Sequence, residues 1–273
     1  DFEYGGFYEQ LNTELKPIIL PRRARLVARQ IYSFAKGSEI VEEKIFEDIL
    51  EHGLSFLEKY LFNSSGQVYK SILIEKNQVD LSHDLYDYAF VIFAMSKIYT
   101  KKQFKKRALE IASKSLDWIK TFWKHKEIGF LEDPQNRIIC RANPHMHLLE
   151  AALSWEENYL KINNKSWQKL SDEIIELAVK KLIDPKRKIL YELFDSNWKL
   201  SSKPKDQFIE PGHQYEWAWL IMKWSDLRNN FKYIEIAKEL VKNADKFGYD
   251  KKRKVCINSL DYNLNYLDKK AKL

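Results

Sequence analysis

Apolar side chains recur along this chain at spacings of three and four, the period of one helix face. Leu85, Ala89, Ile92 and Phe93 are one such run. The pattern predicts nine helices, at about 22–36, 40–62, 83–100, 104–124, 143–163, 166–183, 213–229, 231–247 and 255–268. Alternate helices begin near 22, 83, 143 and 213, so a helical hairpin plus a long loop repeats roughly every 60 to 70 residues. The long loops, at 63–82, 125–142 and 184–212, precede the alternate helices, and the connections within each hairpin are short. Loops of that length tend to carry function. Helical solenoid repeats run about 34 to 47 residues. The longer period here, with its loops on one side, suits a closed ring of hairpins with a central pocket. The alternate helices form the inner ring of that arrangement.

Composition agrees with a helical chain. Only 8 Gly and 7 Pro occur among 273 residues, too few for the many turns of an all-β fold. At 45% hydrophobic the chain can fill one large core, and residues 1–273 read as a single domain. The formal charge is +7, with basic runs at Lys101–Arg107 and Lys251–Lys254. These fall between helices and 39 acidic residues are interspersed, so solvated surface is the better reading and no nucleic-acid partner is expected. The longest apolar run, Ala89 to Met95, is too short to cross a bilayer. Two cysteines make no disulfide framework, which fits a reducing cytoplasm.

The unusual chemistry lies at the starts of the alternate helices. Glu210-Pro211-Gly212-His213-Gln214-Tyr215-Glu216 leads from a Pro-Gly break into a helix, with His213 and Glu216 three apart on one face. Arg141-Ala142-Asn143-Pro144-His145-Met146-His147 has the same design, with Asn143 as N-cap, Pro144 in the first helical position and His147 four residues after the cap. An imidazole beside a carboxylate at a helix start is suited to acid/base work. Ser82 is placed to cap the helix carrying Tyr86, which either packs or donates to a ligand oxygen. Arg29 sits within an apolar helix and calls for a partner or a ligand. Taken singly, Asn143 reads as a cap, His147 as a core histidine and Arg29 as a surface arginine. Their common placement is what suggests a site. No HExxH, P-loop, nucleophile elbow or GxGxxG occurs, and neither metal nor cofactor is expected.

Five segments in order resemble the N-acylglucosamine 2-epimerase family, which also contains mannose isomerases and other aldose–ketose isomerases. They are Tyr4-Gly5-Gly6-Phe7-Tyr8-Glu9, Val27-Ala28-Arg29-Gln30-Ile31-Tyr32, Asp84-Leu85-Tyr86-Asp87-Tyr88-Ala89-Phe90, Asn143-Pro144-His145-Met146-His147-Leu148-Leu149-Glu150-Ala151 and Glu210-Pro211-Gly212-His213-Gln214-Tyr215-Glu216-Trp217. The resemblance implies an (α/α)6 barrel and proton transfer at C2 of a reducing hexose or hexosamine through an enediolate. It implies that His147 and His213 are the acid/base pair, and that Arg29, Tyr86, Asn143 and Glu216 bind sugar or orient a histidine. The partner it implies is a small sugar, and a homodimer is compatible with it. The family also has a Trp-Pro motif bearing histidine or glutamine near its C-terminus, whereas no histidine follows His213 here. With nine helices against twelve in the barrel, the chain is expected to be a fragment. The competing readings are an inactive sugar-binding fragment and a carboxylate-dependent glycosidase or lyase on the same toroid, with Glu210 and Glu216 as its pair.

Overall fold

The computed structural model describes residues 1–41, 44–132, 139–159 and 165–271. Among these are eight α-helices: α1 (Ala24–Ile40), α2 (Ile45–Phe56), α3 (Leu85–Ile98), α4 (Lys105–Phe122), α5 (Ala142–Tyr159), α6 (Ser166–Leu177), α7 (Pro211–Arg228) and α8 (Ile234–Asn243). The chain divides into two compact units. The first comprises Asp1–Lys124 with Ser154–Asn163, and the second His125–Leu153 with Asn164–Leu273.

In the first unit α1 packs on α2 and α3, and α3 packs on α4. Helix α3 is buried on nearly every side, with Leu85, Tyr88, Ala89, Val91, Ile92, Ala94, Met95 and Ile98 all shielded from solvent. α4 instead buries one stripe, Ala108, Ile111, Ala112, Leu116 and Ile119. A helix apolar all round belongs inside, and one with a single apolar stripe belongs outside. In the second unit α7 is buried through Trp217, Ala218, Leu220, Ile221 and Trp224, while α8, packed against it, buries only Ala237 and Leu240. The expected alternation of inner and outer helices is thus present in α3/α4 and α7/α8.

The loop before α3 turns at Asn63–Gly66, where the Asn63 side chain accepts from the Ser65 and Gln67 amides. Gly66 has φ +96°, and a Cβ there would run into the Lys114 backbone carbonyl of α4. Gly66→Ala therefore imposes both backbone strain and a clash that no side chain can relieve. A loss of roughly 1–3 kcal/mol is expected from the conformation alone, read as a lowered urea midpoint. An unchanged midpoint would show that the turn is not held as described.

Four expectations need correction. Residues 255–268 are not a helix: Val255–Leu260 pairs antiparallel with Tyr266–Ala271 and also with Tyr249–Asp250. Ile257, Leu260, Leu264 and Leu267 mimic a helix face, but Asp261 folds back to take the Asn265 amide and Leu264 adopts φ +67°. Local side-chain bonding of this kind makes a turn. Second, Asp84 rather than Ser82 caps α3, accepting from the Tyr86 amide. Third, α1 runs through Gly37 to Ile40, because Gly37 lets Phe46 of α2 pack against it. Fourth, α5 and α7 start earlier than expected, at Ala142 and Pro211. Asn143 thus lies inside the first turn instead of capping it, and Pro144 is the third helical residue. The part of the expected 143–163 helix beyond residue 159 lies outside the described residues.

Candidate active site

The chain has six histidines, and their partners sort them into two groups. Four are bound to the backbone. His52 Nε2 lies 2.8 Å from the Gly6 carbonyl, His83 Nδ1 3.0 Å from that of Val68, and His125 Nε2 2.9 Å from that of Ser196. His145 is fully buried, its Nδ1 2.9 Å from the Arg141 carbonyl, while the Phe130 amide donates to its Nε2 at 3.1 Å. Burial pushes the His145 pKa down to about 4, because charging the ring would strand it in an apolar surrounding. It is a core histidine with both ring nitrogens occupied.

The other two, His147 and His213, face carboxylates. His147 Nδ1 is 3.1 Å from Glu150 Oε2, one helical turn on along α5. His213, on the first turn of α7, is the more crowded. Its Nδ1 lies 3.0 Å from Glu192 Oε1, and its Nε2 lies 3.5 Å from Glu210 Oε2 and 4.0 Å from Glu216 Oε2. His213 and Glu192 are 5% and 3% exposed, whereas Glu216 is exposed. The expected pairing of His213 with Glu216 is present, but Glu192 and Glu210 stand closer. Glu192 was visible in the sequence as an acidic residue within the apolar run Ile189-Leu190-Tyr191-Glu192-Leu193-Phe194, a context that demands a partner.

The local fold explains the positions. Pro211 occupies the first position of α7, where a missing N–H is harmless, and so sets His213 on the opening turn. The Gln214 side chain clamps the Leu190 backbone twice, accepting from its amide at 2.9 Å and donating to its carbonyl at 3.0 Å. The Ala142 amide, opening α5, donates to the Glu192 carbonyl at 3.0 Å, and Ile139–Arg141 pairs antiparallel with Leu193–Asp195. Residues 190–195 thereby tie the start of α5 to the start of α7.

Of the remaining expected site residues, Asn143 is in the second unit with both histidines. Its Oδ1 is buried and has no hydrogen-bond partner. Arg29 and Tyr86 belong to the first unit. Arg29 is exposed, its guanidinium 5.0 Å from the Phe90 ring centre. Tyr86 packs tilted against the same ring with centroids 4.9 Å apart, and the Arg25 guanidinium lies 5.0 Å from the Tyr86 ring centre. Arg25 in turn binds Asp87, whose burial raises its pKa to about 6. Glu192, Glu210 and His213 each offer one ligand atom within a span of 4.8 Å, a donor set that a divalent ion could use. Among the described residues no helix is long and apolar enough to cross a membrane.

The family model for N-acylglucosamine 2-epimerase (GlcNAc 2-epimerase) matches residues 6–273. A mannose-6-phosphate isomerase of Rhizobium meliloti (strain 1021) is 31% identical over 277 residues, covering 100% of this chain and 70% of its own. A cellobiose 2-epimerase of Dictyoglomus turgidum is 25% identical over 264 residues, covering 90% of this chain and 66% of its own. The cellobiose 2-epimerase structure from Bacillus thermoamylovorans B4167 superposes with a TM-score of 0.82 at 21% identity, over 96% of this chain and 70% of that one. That likeness identifies the fold as the (α/α)6 barrel.

Proposed function

Because the chain belongs to the N-acylglucosamine 2-epimerase family of sugar epimerases and isomerases, we propose that it moves a proton at C2 of a reducing hexose or hexosamine. His147 and His213 serve as the acid/base pair. One takes the C2 proton from the open-chain aldose. The electrons pass to the carbonyl oxygen, giving an enediolate. Return of a proton to the other face of C2 gives the epimer, whereas transfer of the hydroxyl proton from O2 to O1 with protonation at C1 gives the ketose. A proton beside a carbonyl is only weakly acidic, so the reaction needs a base with a pKa near the working pH, and imidazole meets that need. The N-termini of α5 and α7 offset the developing negative charge. Asn143 and Glu216 bind sugar hydroxyls. No cofactor is required.

The observation that carries this reading is the division of the histidines. The four spent on backbone groups are held as structural side chains, whereas the two paired with carboxylates sit near the helix starts, His213 on the first turn of α7 and His147 on the second turn of α5. The unpartnered Oδ1 of Asn143, on the first turn of α5, supports a hydroxyl-bearing ligand. The glycosidase alternative is less well supported, since Glu192, Glu210 and Glu216 converge on one imidazole rather than flanking an open space.

The test is proton exchange with solvent. Incubated in D₂O with mannose, glucose or N-acetylglucosamine derivatives, the protein is expected to place deuterium at C2 of an epimer product or at C1 of a ketose product, followed by NMR. Interconversion in which the product carries no solvent deuterium at either position would overturn a histidine route open to solvent.

A further inference from the structure

We propose that Glu192 is the positioning residue of His213. Its carboxylate accepts a hydrogen bond from Nδ1–H, fixes the orientation of the ring and leaves Nε2 as the nitrogen that exchanges a proton with the substrate. The inference rests on His213 being an acid/base group of the reaction proposed above, and it assigns the residue that makes it one. Three observations carry it. The contact is a hydrogen bond of 3.0 Å between two groups that are both almost wholly buried. Glu210 and Glu216, at 3.5 and 4.0 Å, lie on the other ring nitrogen, so the two sides of the imidazole have different environments. The backbone of Glu192 is fixed independently of its side chain, by the Gln214 clamp on Leu190 and by the Ala142 amide on its own carbonyl.

A buried carboxylate is expensive, and burying it beside histidine adds little net stability compared with an apolar pair. What the arrangement provides is a fixed tautomer. A neutral imidazole in water prefers the proton on Nε2, where it has no lone pair to offer a substrate. A carboxylate behind Nδ1 reverses that preference and holds the ring in one orientation. This is the logic by which a third group orients the base in other acid/base constellations. Glu192 does not touch the reacting atoms in this scheme and acts only through His213.

The experiment uses Glu192→Gln, which keeps the shape and lets the Gln214 clamp hold the segment. In the wild-type protein at a pH where His213 is neutral, ¹⁵N NMR of the imidazole is expected to show a protonated Nδ1 and a pyridine-like Nε2. In Glu192→Gln the resonances move toward a mixture of tautomers. With them kcat falls by roughly 10-fold or more, as expected when the carboxylate that holds a base in its tautomer is removed, and KM changes little. If the tautomer and kcat are both unchanged while His213→Asn is inactive, the positioning role is wrong and the function stands. If His213→Asn is itself fully active, the functional reading has failed first. Wild-type turnover that falls with EDTA and returns with Zn²⁺ would make Glu192 a metal ligand and overturn the assignment.

Discussion

Replacing His213 by alanine is expected to lower kcat by roughly 10²- to 10⁴-fold, the range a positioned acid/base contributes. His147→Ala should do the same. The His213 substitution has a second consequence, because Glu192 loses its partner and remains 3% exposed. Leaving a buried charge unpaired costs about 3–5 kcal/mol, so the alanine variant is expected to melt early. His213→Asn separates the two effects. Its amide still offers Glu192 a donor, so much of the stability returns, but it cannot carry a proton and turnover stays lost. His147 needs no such control, since Glu150 is only partly buried. Steady-state rates at saturating sugar, with circular dichroism beside them, check all three variants. Full activity in His213→Asn would remove His213 from the chemistry and return attention to Glu210 with Glu216 as a carboxylate pair.

Acid should destabilise the second unit through His145. The ring is neutral in the folded state, with Nδ1–H donated to Arg141 and the Phe130 amide donated to Nε2. Its pKa is lowered to about 4 in the fold from the ordinary 6.5. Below the ordinary value the unfolded chain binds a proton that the folded chain refuses, so stability falls as pH drops. The contribution is intact above about pH 6.5 and is lost progressively toward pH 4, reaching on the order of 3 kcal/mol. Urea midpoints between those pH values should decline more steeply in wild type than in His145→Gln. The glutamine retains one donor and one acceptor but does not titrate. Parallel curves would mean that His145 is charged or hydrated in the folded protein.

Much of this molecule was legible in its sequence because apolar periodicity reports burial directly. The inner character of α3 and α7 shows in Leu85–Ile98 and Trp217–Trp224, where apolar residues crowd every face. The sequence was misleading where two periods coincide. Ile257, Leu260, Leu264 and Leu267 fit a helix by spacing, and only the Asp261 and Asn265 turn reveals a hairpin. The site was half legible. His213 with Glu216, and His147, stand on helix starts that Pro211 and Pro144 announce. Glu150 lies within reach of His147 by helical spacing alone. Glu192 lies 21 residues before His213, and no local rule joins the two. That contact exists only because Gln214 and the Ile139–Arg141 strand bring the intervening loop back to the helix starts.

The same loop has two ends with different obligations. Residues 190–195 are bound to α5 and α7, whereas Ser201–Gln207 is closed largely on itself, Ser201 Oγ donating to Asp206 and the Gln207 amide to the Ser201 carbonyl. The outer turn can therefore be altered without loosening the contacts that hold His213 against Glu192.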